Sequence, residues 1–371
     1  MKKFLLGIAM LLTAGSSFAQ SDFLSADPAE FTIAAGEEKE VTLIINSSSR
    51  MKFSAFQARI QMPEGVEPVV LETVEEWSDE IEDFINVPVY LTPMNQMANK
   101  NVTITSVFVP AAQTESGMNE LRIVEFSMPI VRFPYAETKS EALFSFKVKA
   151  SDKAQSGEII KVVQTNVNVA QTGNPMDLED LAINMDYVVN AKVGESKYAT
   201  FSWPVAVDFT GSDCKAFIAT ADALESGFVS REAINKVPAN TGVILQSENP
   251  NVTFTLHTTK EATDDAKSNI LVGTADGPVT VGSADKFFAL AKHDKGVGFY
   301  RCNKDVVIPQ YKAYINSSAN ADAFLFEETT GISNVEATAD NAEVYTISGV
   351  KVEKAAQKGI YIVNGKKVVV K

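Results

Sequence analysis

Strict alternation of apolar and polar residues runs through most of this chain and restricts it to β-sheet. In Lys39–Ile45 the apolar positions are Val41, Leu43 and Ile45, every second residue. Phe56, Ala58, Ile60 and Met62 repeat the pattern before a Pro63-Glu64-Gly65 turn. Comparable runs occur at Val102–Val109, Glu120–Phe126, Ala142–Val148 and Glu158–Val167. A second series covers Tyr198–Trp203, Lys215–Ala219, Gly242–Gln246, Val252–Leu256, Phe287–Ala291, Gly298–Arg301 and Lys312–Ile315. Alternation places successive side chains on opposite faces of a strand, so each run predicts one buried and one wet face. Short strands separated by Gly, Pro, Asn and Ser predict antiparallel sandwiches. The expected fold class is all-β.

At 371 residues the chain exceeds one ordinary domain. Lys2 and Lys3 precede an apolar run from Phe4 to Leu12, and Ser17-Phe18-Ala19 fits a small-x-small cleavage site. Residues 1–19 therefore predict a signal peptide, too short to span a membrane. No cysteine follows the cleavage site, so a lipid anchor is not expected. Asn190 and Gly194 interrupt the alternation near 190–195, which predicts a first sandwich over 20–192 and a second β-rich domain over 193–329. In the second, Val237-Pro238-Ala239-Asn240-Thr241-Gly242 echoes Ile308-Pro309-Gln310-Tyr311-Lys312-Ala313. Each places proline just before a strand, where no ladder donor is lost. The echo marks duplicated β units or a recurrent lead-in turn. The last unit, 330–371, predicts two hairpins. Val344–Ile347 returns through Ser348-Gly349 as Val350–Val352, and Gly359–Val363 returns through Asn364-Gly365 as Lys366–Lys371.

Three family resemblances rest on these residues. Ala35–Asn46 with Phe56-Gln57-Ala58-Arg59-Ile60-Gln61-Met62-Pro63, and Ala142–Ala150 with Gly157-Glu158-Ile159-Ile160, resemble the opening and closing strands of cohesin-like domains. That resemblance covers about Ser25 to Asn190 and implies a β-sandwich related to some carbohydrate-binding modules, serving adhesion or assembly. The segment from Ser196 to about Glu328 resembles β-domains that precede the tail of secreted Bacteroidetes proteins. The tail, with Gly359-Ile360-Tyr361 and the terminal Lys367–Lys371, resembles the sorting domain of the type IX secretion system. It implies surface placement by that machinery through Gly331 to Lys371, although Val350 stands where the family commonly has Arg.

Charge narrows the partners. Forty-seven acidic residues against 33 Lys and Arg give a net charge of −14, which argues against nucleic acid and anionic membrane. The acids concentrate in Leu71–Ile85, where Glu72, Glu75, Glu76, Asp79, Glu80, Glu82 and Asp83 surround Leu71, Val74, Trp77, Ile81 and Phe84. That near-helical spacing predicts a surface helix or a long loop with a solvated acidic face. The sharper alternative is a contact for a basic partner. Calcium is disfavoured because the segment has no glycine to shape a ligand loop.

The chain carries no G-x-S-x-G, H-E-x-x-H, Walker A or Rossmann pattern. His257 falls opposite Phe254 and Leu256, on a wet face, and His293 lies in a turn-like loop. Carboxylate pairs for glycoside hydrolysis have no fixed sequence spacing, so 47 acids are uninformative there. Neither a catalytic residue nor a cofactor or metal is expected. Cys214 and Cys302 could form a disulfide or remain buried thiols. For ligand binding, sugar rings stack on exposed aromatics, which nominates Trp77 with Tyr90 and Tyr198 with Trp203. Ala199, Phe201 and Trp203 share one strand face, so Trp203 also reads as core. The chain thus reads as an exported, non-enzymatic adhesion or binding protein with a glycan or protein partner at the cell surface. A surface-assembly or fimbria-like subunit, or an accessory to polysaccharide hydrolysis, is the alternative.

Overall fold

The computed structural model describes residues 19–20, 23–46, 52–94, 103–127, 140–170, 172–222 and 224–326, and four strands between 344 and 370. The export-signal residues 1–18 and the tail turns lie outside the described residues. The fold is all-β, as the alternation predicts. Helix is confined to the single 3-10 turns Ala111–Gln113 and Leu224–Ser226 among the described residues.

The first unit packs two sheets face to face. One joins Leu24–Asp27, Glu38–Asn46, Ser140–Ala150 and Val66–Pro68 in that order, with Leu91–Pro93 also on Ser140–Ala150. The other runs from Thr103–Val109 through Asn119–Ser127, Phe53–Met62 and Glu158–Val169 to Leu181–Val193. Val41, Leu43 and Ile45 meet Phe56, Ile60 and Met62 in the core, and Phe56 and Phe144 touch edge-on at 6.0 Å. Gly65 has φ +78, and any side chain there would collide with the Ala154 backbone, so the turn predicted at Pro63-Glu64-Gly65 needs glycine.

The second sheet does not end at the first unit. Leu181–Val193 pairs antiparallel with Glu158–Val169, parallel with Glu30–Ala34 and antiparallel with Val252–Thr258. Every second residue from Leu181 to Val193 is buried, so one hydrophobic core continues from Leu24 to Leu256. A nine-stranded sheet then carries most of the second unit, around Phe288, Phe299, Phe324 and Ile315. The two echoed segments fold alike. Asn240 and Tyr311, each two residues after its proline, adopt φ +59 and +62. Both lead into a strand, Val243–Gln246 and Ala313–Asn316. They are a recurrent lead-in turn. The tail strands Val344–Thr346, Lys351–Val352, Gly359–Val363 and Lys366–Val370 form one antiparallel sheet, and Val363 pairs with Lys366 across the Asn-Gly step.

One expectation is corrected, and one open alternative is decided. The acidic segment is no helix. Glu72–Ser78 and Asp83–Val89 form a two-stranded ribbon, with Val74 opposite Val87 and Trp77 opposite Phe84. Residues 79–82 make its turn, and Glu82 there has φ +51. Of the two alternatives left open for the cysteines, the structure has the free thiols. Cys214 is a free thiol in the large core, whereas Cys302 is a free thiol packed near Val281, Ile308 and Tyr314. Different clusters hold the two. Burial raises both thiol pKa values, that of Cys214 to about 11.

One buried carboxylate ties strands together. Glu120 lies inside, 1 % exposed, and accepts hydrogen bonds from Arg122 Nε at 2.8 Å, Gln61 Nε2 at 3.1 Å and Ser116 Oγ at 2.9 Å. Burial alone would raise its pKa, but the bonds from Arg122, Gln61 and Ser116 outweigh that and hold it below the ordinary value. A depressed carboxylate stabilises the fold above the unfolded range near pH ~4 and loses that contribution as pH falls through its folded value. Arg122→Ala leaves the buried charge with the more distant Arg59, 4.0 Å away, as its cation, so it should cost about 1–3 kcal/mol in urea unfolding at pH 7. The deficit should narrow as pH falls, because protonation of Glu120 removes the charge that Arg122 balances.

Candidate functional site

The ribbon is an arm rooted in the first unit. Val66–Pro68 and Leu91–Pro93, the segments on either side of it, both pair with Ser140–Ala150, through Val148 with Pro68 and Phe144 with Pro93. Val69 N–H donates to the Lys147 carbonyl at 2.9 Å, and Leu71 N–H to that of Val89 at 2.8 Å. The chain therefore leaves one strand and returns to it, which fixes the arm's base. Beyond that base the ribbon pairs with nothing else among the described residues.

Its outer half is apolar and wet. Trp77 is 55 % exposed, Ile81 59 % and Phe84 61 %, with Ile85 also exposed. The Trp77 and Phe84 rings meet edge-on, 5.3 Å between centroids at 77°. Trp77 Nε1–H donates to Asp79 Oδ1 at 2.9 Å, which fixes the indole against the turn. Along the ribbon, from Glu72 at its base to the turn, stand seven exposed carboxylates, those of Glu72, Glu75, Glu76, Asp79, Glu80, Glu82 and Asp83. Residues 71–89 contain no Lys or Arg. Each ion pair found among the described residues involves other residues. The acids are not gathered for a metal, since no group of three or more potential ligands comes together among the described residues. Chemically the arm offers an exposed aromatic pair in a field of one sign.

The remaining nominated residues are not at this tip. Tyr90, at the arm's base, is 7 % exposed and leans on Phe108 at 6.2 Å, and burial raises its pKa. It does not extend the Trp77 surface. Trp203 is also 7 % exposed, stacked parallel to Phe201 and covered by Tyr311 at 4.4 Å. Tyr198 is partly buried against Phe326 at 4.8 Å, with the Arg231 guanidinium 5.5 Å over its ring. Tyr198 and Trp203 belong to different clusters and form no joint platform. Trp203 and Tyr311 do border a cleft of about 750 Å³ between the units, with Glu67, Lys149, Asp152 and Asn190. Tyr311 O–H donates to Asp152 Oδ2 at 2.8 Å across it. Burial, with that bond, pushes the phenol pKa up to about 12. There the aromatic rings face each other, which suits packing between the units. His257 is exposed, as expected, 3.1 Å from Asp186, and exposed His293 stands against Tyr300.

Sequence reasoning pairs Trp77 with Tyr90, and the structure pairs it with Phe84. The available signal was symmetry. Trp77 and Phe84 stand equally far from the four-residue turn, as cross-strand partners of a hairpin must.

No protein-family model matches the chain, and no curated protein does either. Among solved structures the chain is similar to a cohesin module from the family 33 glycoside hydrolase of Clostridium perfringens ATCC13124. The identity is 12 %, with 46 % of this chain and 95 % of that one covered, at a TM-score of 0.25. It is also similar to the type II cohesin dyad of the adaptor ScaA scaffoldin of Acetivibrio cellulolyticus. There the identity is 13 %, over 78 % of this chain and 97 % of that one, at a TM-score of 0.24. Likeness at that level leaves function to the chain's own geometry. No described helix is long and apolar enough to cross a membrane.

The two tryptophans predict opposite solvent access. Acrylamide should quench Trp77 emission strongly and Trp203 weakly. Trp77→Phe should remove most of the quenchable component without shifting the thermal midpoint.

Proposed function

We propose that the chain is an exported, non-catalytic binding protein that engages a glycan or protein partner at the cell surface through its aromatic arm. The observation that carries this reading is the exposed Trp77–Phe84 pair on a rooted ribbon. Large apolar side chains grouped in water gain free energy when covered, about 25 cal/mol for each Å² removed from solvent. An aromatic pair with one polar tip also suits recognition, because it supplies contact area with few rotatable bonds. The arm's base is held by the sheet, so little backbone order has to be gained on binding. Export is supported by the leader-like residues Lys2 to Ala19, and surface placement by the hairpin strands of the tail.

Two measurements test the reading. The mature protein should bind cells or a glycan array, and Trp77→Ala with Phe84→Ala should reduce that binding at least about tenfold with the fold intact. Undiminished binding by the double variant would remove the arm from the function. Deleting Gly331 to Lys371 should leave the protein in the periplasm, and unchanged surface exposure would refute the tail's part in placement.

A further inference from the structure

The arm has an edge that no strand among the described residues covers. Glu72–Ser78 pairs on one side with Asp83–Val89 and on the other with no strand among the described residues. The opposite strand carries Pro88, which lacks an N–H and cannot serve a full ladder. Glu72–Ser78 is therefore the proline-free edge, with peptide groups available to an added strand.

The register states what such a strand must carry. Thr73, Glu75 and Trp77 lie on one face of the ribbon, with Phe84, Asn86 and Pro88 of the partner strand. Glu72, Val74 and Glu76 lie on the other, with Ile85, Val87 and Val89. A strand running antiparallel along the edge would place cations opposite Glu76, Glu75 and Glu72. It would place an aromatic opposite Trp77 and a β-branched residue opposite Val74. Cross-strand pairs of opposite charge and of aromatic groups each contribute about 0.2–1 kcal/mol. A second copy of the arm is a poor guest, because its carboxylates would face these.

We propose that the edge of Glu72–Ser78 captures an extended segment of another protein by strand addition, one that sets Lys or Arg against Glu76, Glu75 and Glu72 and apolar residues against Trp77 and Val74. This rests on the reading of the arm as the binding element and names its partner's chemistry. Main-chain hydrogen bonds hold the guest, the three glutamates select its cations, and Trp77 covers its aromatic residue.

The probe is a labelled heptapeptide, Thr-Phe-Lys-Lys-Val-Thr-Lys, titrated with the mature protein by fluorescence anisotropy. Saturable binding is expected, weakened about tenfold by Trp77→Ala, about tenfold by Glu75→Gln with Glu76→Gln, and strongly by 0.5 M salt. A peptide with Glu in place of each Lys should not bind. An analogue N-methylated at the alternate positions whose N–H groups face the edge keeps every charge but cannot form the ladder, and it should not bind either. Equal binding of the methylated analogue, or no saturation by the parent up to about 1 mM, overturns strand addition. Circular dichroism of each variant confirms the fold. If the peptide fails while the double aromatic variant still loses cell or glycan binding, this inference falls and the functional reading stands. Peptide capture with undiminished cell and glycan binding gives the reverse.

Discussion

The strand Leu181–Val193 is the constraint on which the rest depends. Thirteen residues long, it closes the first sandwich on Glu158–Val169 and Glu30–Ala34, then carries Val252–Thr258 of the second unit. Leu181, Ile183, Met185, Tyr187, Val189, Ala191 and Val193 all point inward. Continuity of one strand forces the twist of the first sheet onto its neighbours in the second unit. Tyr311, held in a left-handed conformation by its lead-in turn, then reaches Asp152 from the other side. The two units thus share a sheet and a side-chain contact.

Against this framework the arm is an exception that sheet physics explains. A lone two-stranded ribbon is marginal in water. Here the Trp77–Phe84 contact closes one end, and the pairing of both flanking segments with Ser140–Ala150 closes the other. The seven carboxylates serve the edge as well, since like charges keep arms of different molecules from pairing. They do not account for the aromatic tip, which a purely protective edge would not display.

Most of the fold was legible in the sequence because burial on one face imprints a period of two. Val41, Leu43 and Ile45 show it, and so do Phe56, Ala58, Ile60 and Met62. The Asn364-Gly365 step located a tail hairpin for a local reason, the positive φ that its turn demands. The arm was not legible as strand. Both its faces are wet, so nothing selects alternation, and Leu71, Val74, Trp77, Ile81 and Phe84 fall by chance near a helical spacing. Exposure of Trp77 could be inferred from its acidic neighbours. Burial of Tyr90 could not, because it depends on Phe108, 18 residues away in sequence. The fates of Cys214 and Cys302 likewise depend on which cluster each joins, a property of the assembled sheets.

Rooting and exposure together determine how the arm can act. Its two feet are ladder-bonded to one strand of a buried sandwich, so the base cannot move without breaking backbone hydrogen bonds near Val148 and Phe144. Among the described residues the tip makes no such bonds to the body, and its geometry is set locally by Trp77, Phe84 and Asp79. A guest therefore meets an edge of defined direction and register, and the ordering cost falls mainly on the guest. The same geometry separates two kinds of partner. A glycan would use the aromatic faces and be indifferent to the peptide edge, whereas a strand would use the edge and need cations beside Glu72, Glu75 and Glu76. Backbone methylation of the guest distinguishes these because it alters the ladder and leaves charge in place.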